Sequence, residues 1–225
     1  IAQDGDGYLW FGTLGGASRY DGHGFANISL NEGLPDAQVS ALARLPDGSL
    51  WLGSGNAIVR MDGNRLAVEE LPGVQRASRV MGLAADARGG LFMGAEGDGL
   101  LVGAGGRMGP VEGYPADTAT HVRCLLMLRD GSLLVGLRNG LLRCAAGRCE
   151  RITVGDAEPK LINALAEDRE GGWWVGTLGN GVYRFAPNGA VTEFDEESGL
   201  LQNNVRCLLV DDRDRAYFGQ NGKSE

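Results

Sequence analysis

Apolar and polar positions alternate along this chain in short runs, each bounded by clusters of Gly, Asp, Asn and Pro. That is the pattern of half-buried β-strands joined by tight turns, and no long stretch carries the 3.6-residue period of an amphipathic helix. Within it, an apolar pair followed by glycine recurs six times: Trp10-Phe11-Gly12, Trp51-Leu52-Gly53, Phe92-Met93-Gly94, Leu134-Val135-Gly136, Trp174-Val175-Gly176 and Tyr217-Phe218-Gly219. The glycines stand 41, 41, 42, 40 and 43 residues apart. Self-similarity at about 40 residues marks an array of one small structural unit.

The second repeat shows the unit most clearly. It predicts strands over residues 39–45, 49–53, 57–61 and 65–71, with Pro46-Asp47-Gly48 and Asp62-Gly63-Asn64 as turns, because Gly accepts positive φ and Asp and Asn tolerate it. Four antiparallel strands in about 40 residues make a propeller blade. The predicted fold is all-β, a β-propeller of four-stranded antiparallel blades with five complete repeats and a partial sixth, organised as one repeat domain over residues 1–225. Aligning the repeats exposes three inner-strand columns. Val39, Val80, Val122, Ile162 and Val205 are β-branched, and Leu42, Leu83, Leu125, Leu165 and Leu208 follow three places later. Between them lie the small residues Ala41, Gly82, Cys124, Ala164 and Cys207. Inner strands covered on both faces need such apolar continuity, with small side chains where backbones crowd. The column Trp10, Trp51, Phe92, Leu134, Trp174 and Tyr217 reads as core between blades. Registering Asp4 with Asp168 sets Ile1 against Leu165, inside an inner strand, and the sixth repeat lacks its outer strands, so the expectation is a fragment of a larger array. Closure into a ring would require the last inner strands to complete the first blade.

Composition narrows the function classes. A chain of 225 residues that is 43% apolar can bury one propeller-sized core, and its apolar runs are far shorter than a bilayer span. The net charge of −8 argues against a general nucleic-acid surface, which needs clustered lysine and arginine. Arg76, Arg79, Arg123 and Arg206 admit two readings, solvated strand-end charge or anion recognition. Cys144 and Cys149 span a predicted hairpin turn. They are either a cross-strand disulfide, favoured in an oxidising compartment, or two unlinked small residues on a loop. Cys124 and Cys207, in the small-residue column, are expected to be separate, buried and reduced.

Candidate chemistry is sparse, and no cofactor or metal site is expected. Asp4-Gly5-Asp6-Gly7 has two carboxylates at a spacing that suits calcium, but it falls at the turn where Asp47-Gly48, Asp130-Gly131 and Glu170-Gly171 also fall, so turn chemistry is the better reading. Asp211-Asp212-Arg213-Asp214 falls at the corresponding turn. His23, between Gly22 and Gly24, reads as a turn residue, and His121 opens an inner strand. Neither adjoins a motif for nucleophilic or metal chemistry. Polar residues flanking the β-branched column are Gln38, Arg79, His121, Arg123, Asn163, Asn204 and Arg206, and this polar ring at the mouth of a channel is the candidate ligand site.

The run from Gln3 to Thr13, Gln-Asp-Gly-Asp-Gly-Tyr-Leu-Trp-Phe-Gly-Thr, followed by residues 15–22, resembles the two-component regulator propeller repeat. It recurs around Asp168, Trp174 and Gly176, and Asn31-Glu32-Gly33-Leu34-Pro35 and Ser198-Gly199-Leu200-Leu201 look like that family's connectors. Repeats three and four are weaker, with Gly103-Ala104-Gly105 and Cys144-Ala145-Ala146-Gly147 where the family has an aspartate-containing turn. The resemblance implies a noncatalytic, extracytoplasmic ligand-sensing segment of a bacterial membrane signalling protein, on the periplasmic or extracellular side of the inner membrane. Its output would be a histidine kinase or diguanylate cyclase, attached through a membrane segment absent from this chain. The partners implied are a small-molecule or glycan ligand and neighbouring repeats or a dimer partner. The alternatives are a protein- or glycan-binding scaffold and, further off, a propeller enzyme, since the repeats also distantly resemble antibiotic-linearising lyases and the aspartate boxes of sialidases.

Overall fold

The computed structural model describes residues 1–63, 65–69, 79–104, 107–115, 121–153 and 161–220. Asn64, Leu71, Arg76 and Gly105, all named above, lie outside the described residues. The chain forms two compact units, Ile1–Val122 and Arg123–Glu225. No helix among the described residues is long and apolar enough to cross a membrane.

The first unit holds three four-stranded antiparallel sheets. They comprise β1 (Ala2–Gln3), β2 (Leu9–Thr13), β3 (Gly16–Tyr20) and β4 (Phe25–Ile28), then β5 (Val39–Arg44), β6 (Leu50–Ser54), β7 (Ala57–Asp62) and β8 (Arg65–Glu69), then β9 (Val80–Ala85), β10 (Leu91–Ala95), β11 (Gly99–Ala104) and β12 (Arg107–Pro110). The fourth sheet begins at the unit boundary with β13 (Val122–Met127) and continues through β14 (Leu133–Leu137), β15 (Gly140–Ala145) and β16 (Arg148–Ile152). The second unit adds β17 (Ile162–Glu167), β18 (Trp173–Thr177), β19 (Val182–Phe185) and β20 (Val191–Phe194), then a two-stranded sheet of β21 (Val205–Val210) and β22 (Ala216–Gln220). These are propeller blades with strands in chain order, and strand bounds in the second repeat agree with the sequence pattern to within about two residues.

The recurring glycine and the β-branched column turn out to be two halves of one contact. An added Cβ at Gly12 would meet the Val39 carbonyl at 2.6 Å and Val39 Cγ1 at 3.0 Å. At Gly53 it would meet Val80 Cγ1 at 2.6 Å, at Gly136 Ile162 Cγ2 at 2.7 Å and at Gly176 Val205 Cγ1 at 2.8 Å. None of these glycines has positive φ. They are glycine because the next blade seats its β-branched side chain in the notch, where Val39, Val80, Ile162 and Val205 are at most 3% exposed.

The turn between the first two strands comes in two forms. Where aspartate opens it, the carboxylate gathers the turn. Asp4 accepts from the N–H groups of Asp6 and Tyr8 at 3.0 and 2.9 Å and from Trp10 Nε1 at 2.7 Å. Asp168 accepts from the Gly172 N–H at 2.7 Å and Trp174 Nε1 at 3.3 Å, and Asp211 accepts from the Arg213 and Arg215 N–H groups and from the Tyr217 hydroxyl at 3.2 Å. Where leucine opens it, Leu45 or Leu128 turns into the core and an aspartate two places on, Asp47 or Asp130, takes the serine N–H and hydroxyl instead. The aromatic column thus has a second task beyond filling space: its polar edge ties the second strand to the turn.

That column is less uniformly core than expected. Trp10 and Trp174 are buried, Trp51 and Phe92 are half-buried, and Tyr217 is 48% exposed. Tyr217 stands on the last described sheet, where no further described blade of the second unit stacks over it. Cys207, on the same sheet, is exposed and not buried as the column pattern suggested, for the same reason, whereas Cys124 is half-buried and both are free thiols. Burial pushes the Cys124 thiol up to about 12. Cys144 and Cys149 stand directly opposite each other on β15 and β16 and are joined by a disulfide. The hairpin between them turns through Ala146 at φ 49° and Gly147 at φ 75°, the paired positive values that a two-residue turn needs.

The connector after the first blade is capped locally. Ser29 and Glu32 form a capping box around a short 3-10 turn, Leu30–Glu32, and Gly33 at φ 103° ends it so that Leu34 enters the core. Leu200 in the later connector is held the same way, its N–H bonded to the Asp195 carbonyl at 2.8 Å as the Leu34 N–H is to Ser29 at 3.1 Å.

Candidate ligand-binding row on the inner strands

The polar residues that flank the β-branched column divide between the two units. In the first, Gln38, Arg79 and His121 precede Val39, Val80 and Val122 at the openings of inner strands. Their backbones close against the loop that follows a second strand. The Gln38 carbonyl accepts from the Gly55 N–H at 3.1 Å, the Arg79 carbonyl from the Glu96 N–H at 2.9 Å, and His121 forms a β-bridge with Glu96. Arg79 and His121 are exposed and Gln38 is half-buried. In the second unit Asn204 takes the corresponding place, exposed and bridged to Leu178.

Residues immediately after the β-branched column do something different. Three of them reach toward the next blade. Ser40 Oγ donates to the Val80 carbonyl, Arg123 donates from a terminal guanidinium nitrogen to Asn163 Oδ1 at 2.7 Å, and Asn163 Nδ2 donates to the Arg206 carbonyl at 2.7 Å. In the second unit this joins Arg123, Asn163 and Arg206 into one line across three consecutive inner strands. The structure therefore brings together three of the seven residues singled out from sequence. Asn204 lies two residues from Arg206 on the same edge, and Gln38, Arg79 and His121 belong to the first unit.

The other candidates are structural. Asp21 Oδ1 accepts from the His23 and Gly24 N–H groups at 2.8 Å, which fixes His23 on an exposed turn. The two aspartates of the 4–7 turn line a groove of about 410 Å³ in the first unit, together with Asp47, Arg60 and Asp62. Asp4 and Asp47 already accept their own turn's N–H groups there, and among the described residues no cluster of three or more metal-ligating side chains forms.

Sequence inspection missed a column of arginines on the third strands. Arg19, Arg60, Arg143 and Arg184 pair directly across from Trp10, Trp51, Leu134 and Trp174. Arg184 binds the Asp168 carboxylate at 2.7 Å and lies 5.6 Å from the Trp174 ring centre, and Arg143 binds Asp130 at 2.5 Å. Their spacing repeats with the period and was visible in principle. A second set of arginines stitches neighbouring blades at the turns: Arg129 pairs with Glu167 at 3.2 Å, and Arg169 donates to the Asp212 carbonyl at 2.6 Å.

Residues 33–56, the inner strand, turn and second strand of the second blade, match the two component regulator propeller family model, so the chain carries that repeat. No curated protein sequence matches the chain. Among solved structures it is similar to virginiamycin B lyase from Staphylococcus aureus, with 17% identity and a TM-score of 0.76 over 97% of this chain and 75% of that one. It is also similar to the extracellular domain of a one component system protein from B. thetaiotaomicron, with 16% identity and a TM-score of 0.65 over 97% of this chain. The chain spans 36% of that domain's length. PorZ, a bacterial surface component of the type-IX secretion system of Porphyromonas gingivalis, is similar at 18% identity and a TM-score of 0.71, over 91% of this chain and 35% of that one. At these identities the likeness concerns the fold.

Proposed function

We propose that this propeller-repeat chain is a noncatalytic, extracytoplasmic ligand-sensing segment of a bacterial transmembrane signalling protein, with its ligand bound by the polar row on the inner strands. The observation that supports this reading most is the two component regulator propeller match, which falls on a blade whose columns recur along the whole chain. The row adds a chemical reason. Arg123, Asn163 and Arg206 form a connected polar line along strands whose neighbouring columns are apolar, and polar groups arranged on rigid strands are what a binding site requires. Signalling follows if the ligand binds one arrangement of blades or dimer partners better than another, since only differential affinity shifts a population.

The test is a thermal-shift screen of the chain against mono- and disaccharides, organic acids and amino acids, followed by calorimetry on any hit with Arg123→Ala and Arg206→Ala. Each substitution is expected to weaken binding by about tenfold, the value of one charge-assisted hydrogen bond. A hit whose affinity is unchanged in both variants would remove the row as the ligand site.

A further inference from the structure

The turn between third and fourth strands is held by a polar side chain in the first and fifth blades and by sulfur in the fourth. Asp21 accepts from the His23 and Gly24 N–H groups at 2.8 Å, and Asn188 accepts from the Ala190 N–H at 3.0 Å. The fourth blade turns through Ala146 and Gly147, neither of which has a polar side chain. Ala146 nevertheless stands at φ 49°. A residue with a Cβ is disfavoured there by roughly five- to thirtyfold, and alanine lacks the short polar side chain that lets asparagine visit this region. The strand pair beside the turn is Ala145 with Arg148, and the next is Cys144 with Cys149, joined by the disulfide. The bond links residues five apart in sequence. Closing so short a loop removes the least chain entropy from the unfolded state, so its action falls chiefly on the turn.

The two ends of the bond differ in exposure. Cys144 is 7% exposed and lies opposite the buried Leu133, whereas Cys149 is half-buried and residues 145–148 are exposed. Reduction leaves Cys144 seated as a small apolar residue while the outer hairpin loses its clamp. We propose that Cys144–Cys149 is a redox latch on the fourth blade. Oxidised, it holds Ala146 left-handed and closes the end of the β15–β16 hairpin; reduced, that end opens while the rest of the blade stays folded. The reductant is a dithiol. One of its thiolates attacks Cys149 Sγ and Cys144 leaves as a thiolate; the second thiol then displaces Cys149 and closes the reductant's own disulfide. Two electrons and two protons pass from the dithiol to the cystine, and both cysteines end as thiols.

Hydrogen–deuterium exchange of the whole chain, read by mass spectrometry before and after dithiothreitol treatment, tests the latch. Iodoacetamide labelling should count four thiols after treatment and two before, since Cys124 and Cys207 are free in both states. Exchange over residues 145–150 should quicken at least about fivefold on reduction, with β13 and β14 unchanged. Ala146→Asn installs the asparagine-glycine pair that such turns prefer, and it should abolish most of that increase in the reduced protein. A thiol count that stays at two puts the bond beyond a dithiol's reach and overturns the latch. Unchanged exchange over 145–150 after full reduction overturns it too. So does an equal rise across all strands, which would make the bond a staple of the whole fold. A rise that Ala146→Asn leaves intact also overturns it, because the bond would then not be what holds Ala146.

Discussion

At the scale of single residues, the turn aspartates show how one carboxylate can organise a repeat. Asp168 is 2% exposed and holds Arg184, the Gly172 N–H and the Trp174 indole. Burial works against its charged form, but the Arg184 hydrogen bonds, the Gly172 N–H and the Arg184 charge outweigh it, so its carboxyl sits below the ordinary value. A depressed folded pKa adds stability that is fully present above the unfolded value of about 3.9 and is lost as pH falls through the folded one. Asp211 behaves likewise. Burial opposes its charge, Arg215 and two backbone N–H groups prevail, and its carboxyl drops to about 2, so its contribution fades between about pH 4 and pH 2. Asp168→Ala leaves Arg184, whose side chain is 28% exposed, with Glu170 as its one remaining carboxylate. Breaking a fully buried pair costs about 3–5 kcal/mol, and partial exposure of Arg184 lowers this to about 2–3 kcal/mol. Urea denaturation at pH 7 and pH 3 checks it: the gap between wild type and variant should narrow at pH 3. An equal gap at both would show that the charge is not what Asp168 contributes.

At the scale of elements, the blade-to-blade contact is a glycine notch filled by a β-branched side chain. Gly176→Ala should cost about 1–3 kcal/mol through overpacking against Val205 Cγ1, which would lie 2.8 Å from the new methyl. Gly109, which has open space and no positive φ, is the control and should be near neutral. In a double-mutant cycle, Val205→Ala should relieve the clash, so that the two changes together cost at least about 0.5 kcal/mol less than their sum. Strict additivity would mean the notch and the side chain do not meet. Both halves of this contact were legible in the sequence as separate columns, and the strands between them were placed nearly residue by residue, because period, turn residues and alternation all agree. Their mutual fit was not legible, since it joins residues 26 to 29 apart on different blades. The same limit explains Cys207 and Tyr217. A column records what a position usually packs against, and their sheet has no further described blade of the second unit over it. The site was legible as a set of polar positions. That Asn163 links Arg123 to Arg206 became visible only with the side chains in place, because an asparagine on a strand gives no sequence signal of which neighbour it will bind.

At the scale of the molecule, the described residues form five four-stranded blades and a two-stranded sixth sheet, and within each unit small polar differences distinguish one inner-strand position from another. A similar fold occurs in a lyase and in the extracellular domain of a signalling protein, so the architecture by itself does not assign a function. The central claim is that here the inner-strand row serves sensing in a membrane signalling protein. The most direct measurement is the native transcript read upstream of Ile1 and downstream of Glu225. Further propeller repeats, an apolar span of about 20 residues and a kinase or cyclase domain are the predicted result. A start codon and a stop codon close to these residues, with no membrane span on either side, would contradict it.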